Sequence, residues 1–454
     1  MIETESLQFP GQVEIKNIIL VSPSRGMYVS LIDYLIELNI EESIFKPVLS
    51  GTITLSDSTN LVSVFPLIGE EYLYIDIKTP SLDDVYRIYR TFRVYGISNK
   101  VYAKDGNTLV YQLSFTSTET FNDINNPIYK AFEGTPAEII YNIFIDYLQA
   151  DRNIAIGTKP DTTKNPLTLL DFSQNKIKFV SPGWRPLQCI NWIASKSLPE
   201  TNNSANFLFW ETTKGFYYGS IGSIFTNFDR AFAGEYVYSD AYINTLKVDE
   251  RSKSMFAIKS LHVDKNVDQL QNSMTGYLSS RLLDIDLYNK KYKDVDYDHV
   301  TKFSRYSHLN ENDIVAPFFD AASVVRNPKA YTVINYSVPK LHNTVENNFD
   351  EITKYMFGNR RSTMIELNNF RMEIVVPGRT DIEVGNVIHI TIPKGKYGAL
   401  SEKDQTSDTG DELYSGYYLI THINHKVNPK THYMALRVTR DSFEGKNYNE
   451  AGKQ

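Results

Sequence analysis

The chain has 454 residues, 42% apolar and 22% charged, with 47 Lys and Arg against 54 Asp and Glu for a formal net charge of −7. At roughly 150 residues per domain this is room for about three packed domains, and the apolar share excludes wholesale disorder. There is no basic excess to hold a phosphate backbone, and the single cysteine, Cys189, excludes an intramolecular disulfide framework and a Cys-cluster zinc site. The opening residues Met1-Ile2-Glu3-Thr4-Glu5 are acidic where a secretory signal would be positive, and no run of about 18 apolar residues could span a bilayer. The expectation is a large soluble chain from a reducing compartment. Aromatics make up 13%, led by 31 Tyr, which suits strands and half-wet contact surfaces.

The first 120 residues read as strands. Tyr34, Ile36, Leu38 and Ile40 alternate with more polar neighbours, as do Leu73, Ile75 and Ile77, and then Tyr111, Leu113 and Phe115. Period two means one buried face, as in antiparallel sheet, and Asp105-Gly106-Asn107 predicts a hairpin turn. The pattern then changes. In Gly134-Thr135-Pro136-Ala137-Glu138, Thr135 can cap a helix, Pro136 fits its first position and Glu138 completes a capping box. Ile139, Ile140, Ile143, Phe144, Tyr147 and Leu148 follow at helical spacing. A second helix is expected from Pro186, with Leu187, Ile190, Ile193 and Ala194 on one face. Residues 151–178 are polar and turn-rich and receive no assigned structure. Glu200–Ser204 is a loop, and Asn206–Ile224 reads as a strand pair around Lys214-Gly215.

From about residue 236 the chain is β-like again, then irregular and charged over 264–342. A third helix is expected from Asn343, carrying Val345, Phe349, Ile352, Tyr355 and Met356 and stopped or kinked at Gly358-Asn359. Clean alternation returns over 370–443, in Met372, Ile374 and Val376, in Ile388, Ile390 and Ile392, and in Met434, Leu436 and Val438. The polar span 398–416 reads as a long hairpin loop.

The two β regions resemble each other. Gly69 precedes Leu73–Ile77 as Gly385 precedes Ile388–Ile392. Ile97-Ser98-Asn99-Lys100-Val101 is echoed by Ile423-Asn424-His425-Lys426-Val427, and Leu113-Ser114-Phe115-Thr116 by Leu436-Arg437-Val438-Thr439. The order is the same in both. A duplicated unit is therefore expected, the second completed by Ala241–Val263 with Leu246, Met255, Ile258 and Leu261. The expected fold class is mainly β, or α+β. Residues 1–120 form one β module, and 236–265 plus 370–443 the second. An α/β domain (121–235) and an irregular or helical domain (266–369) are inserted, and 444–454 form a tail.

Catalytic signatures are missing. There is no phosphate-binding loop, and Gly219-Ser220-Ile221-Gly222-Ser223 lacks the spacing of a nucleophile elbow, so it reads as a strand-end turn. His422 and His425 are three apart on a strand and face opposite ways, so with His432 they read as packed or surface histidines rather than a metal set. Asp294, Asp296 and Asp298 imitate the start of a calcium loop, but His299 and Arg305 stand where Gly and Glu are needed. Trp184 and Trp192 read as core. Paired carboxylates for glycoside hydrolysis follow from a fold and not from spacing, so a β-rich cell-wall or polysaccharide hydrolase stays open as the alternative. No catalytic, cofactor-binding or metal residue is assigned.

The order of elements resembles the baseplate central hub protein of contractile-tailed bacteriophages of the T-even type. Its best-matching stretches are Asn369–Pro377, Asp381–Ile388, Gly416–His425 and Thr431–Leu436, with weaker ones at Trp184–Ser197 and Phe207–Trp210. This chain departs in its longer connections, 264–342 and 398–416. The resemblance implies two tail-tube-like antiparallel β-barrel modules per chain in a ring-shaped homotrimer. The ring would be pseudo-sixfold toward a hexameric tail tube and threefold toward a trimeric central spike. It also implies no enzyme and no cofactor. Implied partners are the spike, the tube or tube initiator and the surrounding wedge proteins, with the tape measure as a further candidate. DNA would pass through without specific binding, and there would be no membrane anchor. The place implied is the virion tail baseplate, assembled in the host cytoplasm. With no spike-like repeats after residue 443, the spike is expected to be a separate chain. A receptor-binding or tube component of the same tail is the neighbouring alternative.

Overall fold

The computed structural model describes residues 7–444 except 66, 104–106, 150–153, 157–158, 162–164, 200–205, 239–252, 266–267, 288–289, 314–330, 338–354, 393–410 and 412. The first β region has seven strands: β1 (Glu14–Ser22), β2 (Met27–Ser30), β3 (Leu35–Ser43), β4 (Ser50–Asp57), β5 (Tyr72–Lys78), β6 (Ile88–Tyr102) and β7 (Leu109–Ser117). They pair antiparallel in the order β2-β1-β5-β6-β7-β4-β3. Tyr111, Leu113 and Phe115 share one face and are fully buried, as period two requires. In β5 the residues Tyr74 and Asp76 are buried along with Leu73, Ile75 and Ile77, because both faces of that strand are covered. β3 departs from strict alternation. A register shift between Leu35 and Glu37 turns Leu35 inward and Ile36 outward, after which Leu38 and Ile40 fall inside as expected. β6 and β7 are neighbours, as the Asp105-Gly106-Asn107 turn implies, although Asp105 and Gly106 lie outside the described residues.

The second β region contains β8 (Phe232–Tyr238), β9 (Ser260–Lys265), β10 (Phe370–Pro377), β11 (Val387–Thr391), β12 (Gly416–Val427) and β13 (His432–Arg440). Their order is β9-β10-β13-β12-β11-β8, antiparallel except for the last pair. Met372, Ile374, Val376, Ile388, Ile390, Met434, Leu436 and Val438 are buried, each worth roughly 1.5–3 kcal/mol relative to exposure. Leu246 and much of the expected loop 398–416 lie outside the described residues.

The two regions share a pairing plan. β3-β4-β7-β6-β5-β1 in the first matches β9-β10-β13-β12-β11-β8 in the second, strand for strand in sequence position. Ile97 sits opposite Leu113 and Ile423 opposite Leu436. A bulge interrupts β6 between Val94 and Gly96, and another interrupts β12 between Ile420 and His422. The Val94 N–H donates to the Glu71 carbonyl at 2.9 Å, and the Ile420 N–H to the Asn386 carbonyl at 2.8 Å. Gly69 and Gly385 enter their strands at φ of 92° and 91°, a left-handed conformation that only glycine adopts cheaply. One pair differs: β5 and β1 run antiparallel, β11 and β8 parallel.

Between the β regions lies a third apolar core built on the helices Pro136–Ile143 and Pro186–Ser195. The capping box forms as read: Thr135 Oγ1 accepts from the Glu138 N–H at 3.4 Å, and Glu138 Oε2 from the Thr135 N–H at 3.0 Å. The Trp184 and Trp192 rings meet edge-on at 6.2 Å with Phe179 stacked against Trp192, which is core packing. Three expectations are corrected. The span 151–178 contains strands, including Leu167–Leu169, which pairs parallel with Gly215–Ser220, and Ile177–Val180, which pairs with Ala131–Gly134. Ile221–Thr226, read as the end of a strand, is a helix capped by Ser220. The charged span 264–342 holds a three-stranded sheet, Ser279–Asp286, Lys291–Asp298 and Thr332–Ser337, not an irregular segment. Of the stop or kink expected at Gly358-Asn359 the stop does not occur: π-helical turns over Tyr355–Arg360 pass into the α-helix Arg361–Glu366. A Cβ at Gly358 would lie 2.8 Å from the Tyr297 ring, so glycine serves close packing. The start expected at Asn343 lies outside the described residues.

Candidate functional site

The feature with most bearing on function is a seam. β12 is long enough to have two neighbours on one edge. Its first part pairs with β11, and its last part pairs antiparallel with β3, from His422–Ser43 to Val427–Leu38. With the short strand Ala257–Ile258 paired beside β8, the two β regions thereby become one continuous fourteen-stranded sheet. Each also lends an apolar residue to the other's core: Val427 packs in the first and Ile44 in the second.

Glu42, on β3, anchors this seam. Its carboxylate accepts from the Thr213 N–H at 2.9 Å and the Val384 N–H at 3.1 Å, and lies 3.5 Å from His425 Nε2. Thr213 belongs to the hairpin Phe207–Ser220, and Val384 precedes β11, so one side chain ties three parts of the chain. Burial by itself would raise the Glu42 pKa, but His425 and the two N–H donors outweigh it and hold the carboxyl below its usual value. His425 Nδ1 is 3.1 Å from His432 Nε2 across the β12–β13 hairpin, and both rings are buried. Burial, then His425, pushes His432 well below the usual histidine value, so it is neutral. His422 faces the other way, against Phe45, as its spacing requires. The pairing of His425 with His432 was invisible to spacing because it depends on strand register.

The same hairpin is tied to the first β region at Glu211. Arg90 on β6 binds this carboxylate, the Leu49 N–H donates to it at 2.8 Å, and the Ser117 hydroxyl donates at 2.5 Å. Burial is the dominant influence and pushes Glu211 up to about 7 despite Arg90.

A second buried cluster joins the inserted three-stranded sheet to the second core. His299 Nε2 lies 3.3 Å from Glu366 Oε1, 3.6 Å from Asp313 Oδ2 and 3.2 Å from the Tyr277 hydroxyl, and Nδ1 is 3.2 Å from Ser362 Oγ. One imidazole and two carboxylates within 4.8 Å are a donor set that could hold a divalent cation. The imidazolium supplies the compensating charge itself. Burial would lower its pKa, but Glu366 and Asp313 raise it to about 10. The folded value exceeds the ordinary 6.5, so the stabilisation is complete below that pH and is lost as pH rises through about 10. In pH-dependent unfolding, the His299→Gln variant is expected to lack this alkaline loss; a wild-type-like profile would refute the ion pair.

Asp294, Asp296 and Asp298 lie on the strand Lys291–Asp298, and Arg281 binds Asp296 at 2.6 Å with Asp294 at 3.7 Å. Two of the three carboxylates thus face a guanidinium. On the polar face of the β10–β13–β12–β3 sheet, Arg437 pairs with Glu373 at 2.6 Å and Lys46 with Glu41 at 3.6 Å. Among the described residues no helix is long and apolar enough to cross a membrane.

No family model matches the chain. It is similar to the probable baseplate hub protein gp334 of Vibrio phage KVP40, with 23% identity over 406 residues that cover 87% of this chain and 86% of the relative. Two solved structures share the fold. One is the tail protein from Neisseria meningitidis MC58, with TM-score 0.51 and 11% identity over 96% of this chain and 97% of that one. The other is the 43 kDa tail protein of prophage MuSo2 from Shewanella oneidensis, with TM-score 0.51 and 10% identity over 94% and 99%. The mainly β class and the resemblance to phage baseplate hub proteins are borne out.

Proposed function

We propose that the chain is a structural hub of a phage tail baseplate, a ring-shaped homotrimer in which each subunit contributes two equivalent β units. Residues 1–120 form the first unit, and 236–265 with 370–443 the second, which β8 extends back to Phe232. Six units around the axis would present a pseudo-sixfold rim to the tail tube and a threefold face to a trimeric central spike. The observation that carries this reading is the repeated pairing plan, with the same strand order and the same bulge in both regions. The similarity to a hub protein over most of the chain supports it. The spike, tube or tube initiator and wedge proteins would surround the ring in the virion tail. The paired charges on the sheet's polar face suit a conduit past which DNA slides, since an uncompensated basic wall would hold the phosphates.

The test is the mass and shape of the full chain in solution, alone and with the spike and tube proteins. The expected result is a particle of three 52.0 kDa chains with six lobes around a central opening. A chain that stays monomeric with both partners present, or a closed ring of another stoichiometry, would overturn the reading.

A further inference from the structure

The internal seam uses one edge of β3 and one edge of β12. Their counterparts are β9 and β6. Among the described residues β9 pairs only with β10, and the last part of β6 pairs only with β7. Among the described residues each chain therefore has one open edge of each kind, at the positions the internal seam fills. We infer that neighbouring copies join by antiparallel pairing of β6 of one copy with β9 of the next, repeating the β12–β3 seam between chains. This rests on the ring proposed above and names the strands that close it.

Burial supports the assignment. Val427, fully buried in the internal seam, corresponds to Tyr102, which is 70% exposed, and Thr421, 1% exposed, corresponds to Tyr95, 56% exposed. Large apolar side chains are thus solvated where the equivalent strand is covered.

Register supports it more sharply. In the internal seam Asn424 faces Glu41 and Lys426 faces Asn39. Through their shared partners on β7 and β13, Asn424 corresponds to Ser98 and Lys426 to Val101, so β6 has one residue more than β12. That extra residue is the bulge at Asn99–Lys100, where Asn99 takes a φ of 54°. Through β4 and β10, Glu41 corresponds to Lys265 and Asn39 to His262, so β9 also has one residue more than β3, in a bulge between Val263 and Lys265. An insertion in one strand alone would break the ladder. Two insertions that fall opposite each other leave it whole: Ser98 faces Lys265, Asn99 faces Asp264, Lys100 faces Val263, Val101 faces His262 and Tyr102 faces Leu261. The contact is head to tail, so its rotation decides whether it closes, and the ring of three requires about 120° per chain.

Opposed residues of an antiparallel pair have Cα atoms roughly 4.5–5.5 Å apart, within disulfide reach. Under mild oxidation, full-length chain carrying Tyr102→Cys and Leu261→Cys is expected to give a covalent ladder ending at three chains. Val101→Cys with His262→Cys is expected to do the same. Each single variant, and Tyr102→Cys with the displaced Val263→Cys, is expected to cross-link at least tenfold less. Lysine at both Tyr95 and Tyr102, which are exposed in the single chain, is expected to weaken association at least tenfold while leaving the thermal midpoint of the dissociated chain unchanged. A trimer by mass in which neither matched pair cross-links would overturn this pairing and leave the hub reading intact. A chain that neither trimerises with its partners nor cross-links would overturn both.

Discussion

Glu42→Ala will destabilise the chain by about 3–5 kcal/mol, the usual cost of removing one member of a buried, hydrogen-bonded charged set. Glu42 is 1% exposed, and its loss strands the N–H groups of Thr213 and Val384 beside His425 with no acceptor. Glu42→Gln retains one acceptor but turns its amide donors toward a remaining N–H, so an intermediate loss is expected. The pH dependence separates this from a simple cavity. Because the folded carboxyl titrates below its ordinary 4.5, its stabilisation is present above that pH and is lost as pH falls through the folded value. The wild type will therefore lose stability in acid that Glu42→Ala has already lost. Chemical denaturation across pH measures both, and a change under 1 kcal/mol would show that the seam does not depend on this residue. Since Glu42 joins both β regions to the hairpin between them, the proposed ring is expected to fail in parallel.

Removing Arg90 will have an effect of similar size for a different reason. Arg90→Ala leaves Glu211 buried without its guanidinium, at a cost of about 3–5 kcal/mol. The sign of its pH dependence opposes that of Glu42. The folded Glu211 value is pushed up to about 7 from the ordinary 4.5, so this group favours folding more as pH falls from 7 toward 4.5. Glu211→Gln, which keeps an acceptor for the Leu49 N–H and the Ser117 hydroxyl, is expected to abolish that slope and to restore much of the stability in the Arg90→Ala background. Full additivity of the two substitutions would refute the pairing.

The β character of the chain, its capped helix at Pro136 and the likeness of Ile97-Ser98 to Ile423-Asn424 were legible in the residues, whereas pairing sets Val101, not Lys100, at the place of Lys426. Those signals are local, since a strand's alternation or a helix's cap involves residues a few positions apart. A local expectation failed where a single inserted residue reversed a phase, as at Leu35–Ile36. Ser279–Asp286 and Lys291–Asp298 form a strand pair that charge had disguised: Arg281 and Asp296 face each other across it, so the polarity is satisfied within the sheet. Glu42, Glu211 and the meeting of His425 with His432 carried no sequence signal, because their partners stand 7 to 342 residues away and the ordinary residue types of these side chains reveal nothing of burial. Composition and periodicity determined what kind of surface each strand has. Only tertiary hydrogen bonding decided which edges meet, since every strand edge carries the same backbone donors and acceptors, and the choice among them is made by register and by the side chains packed on either face.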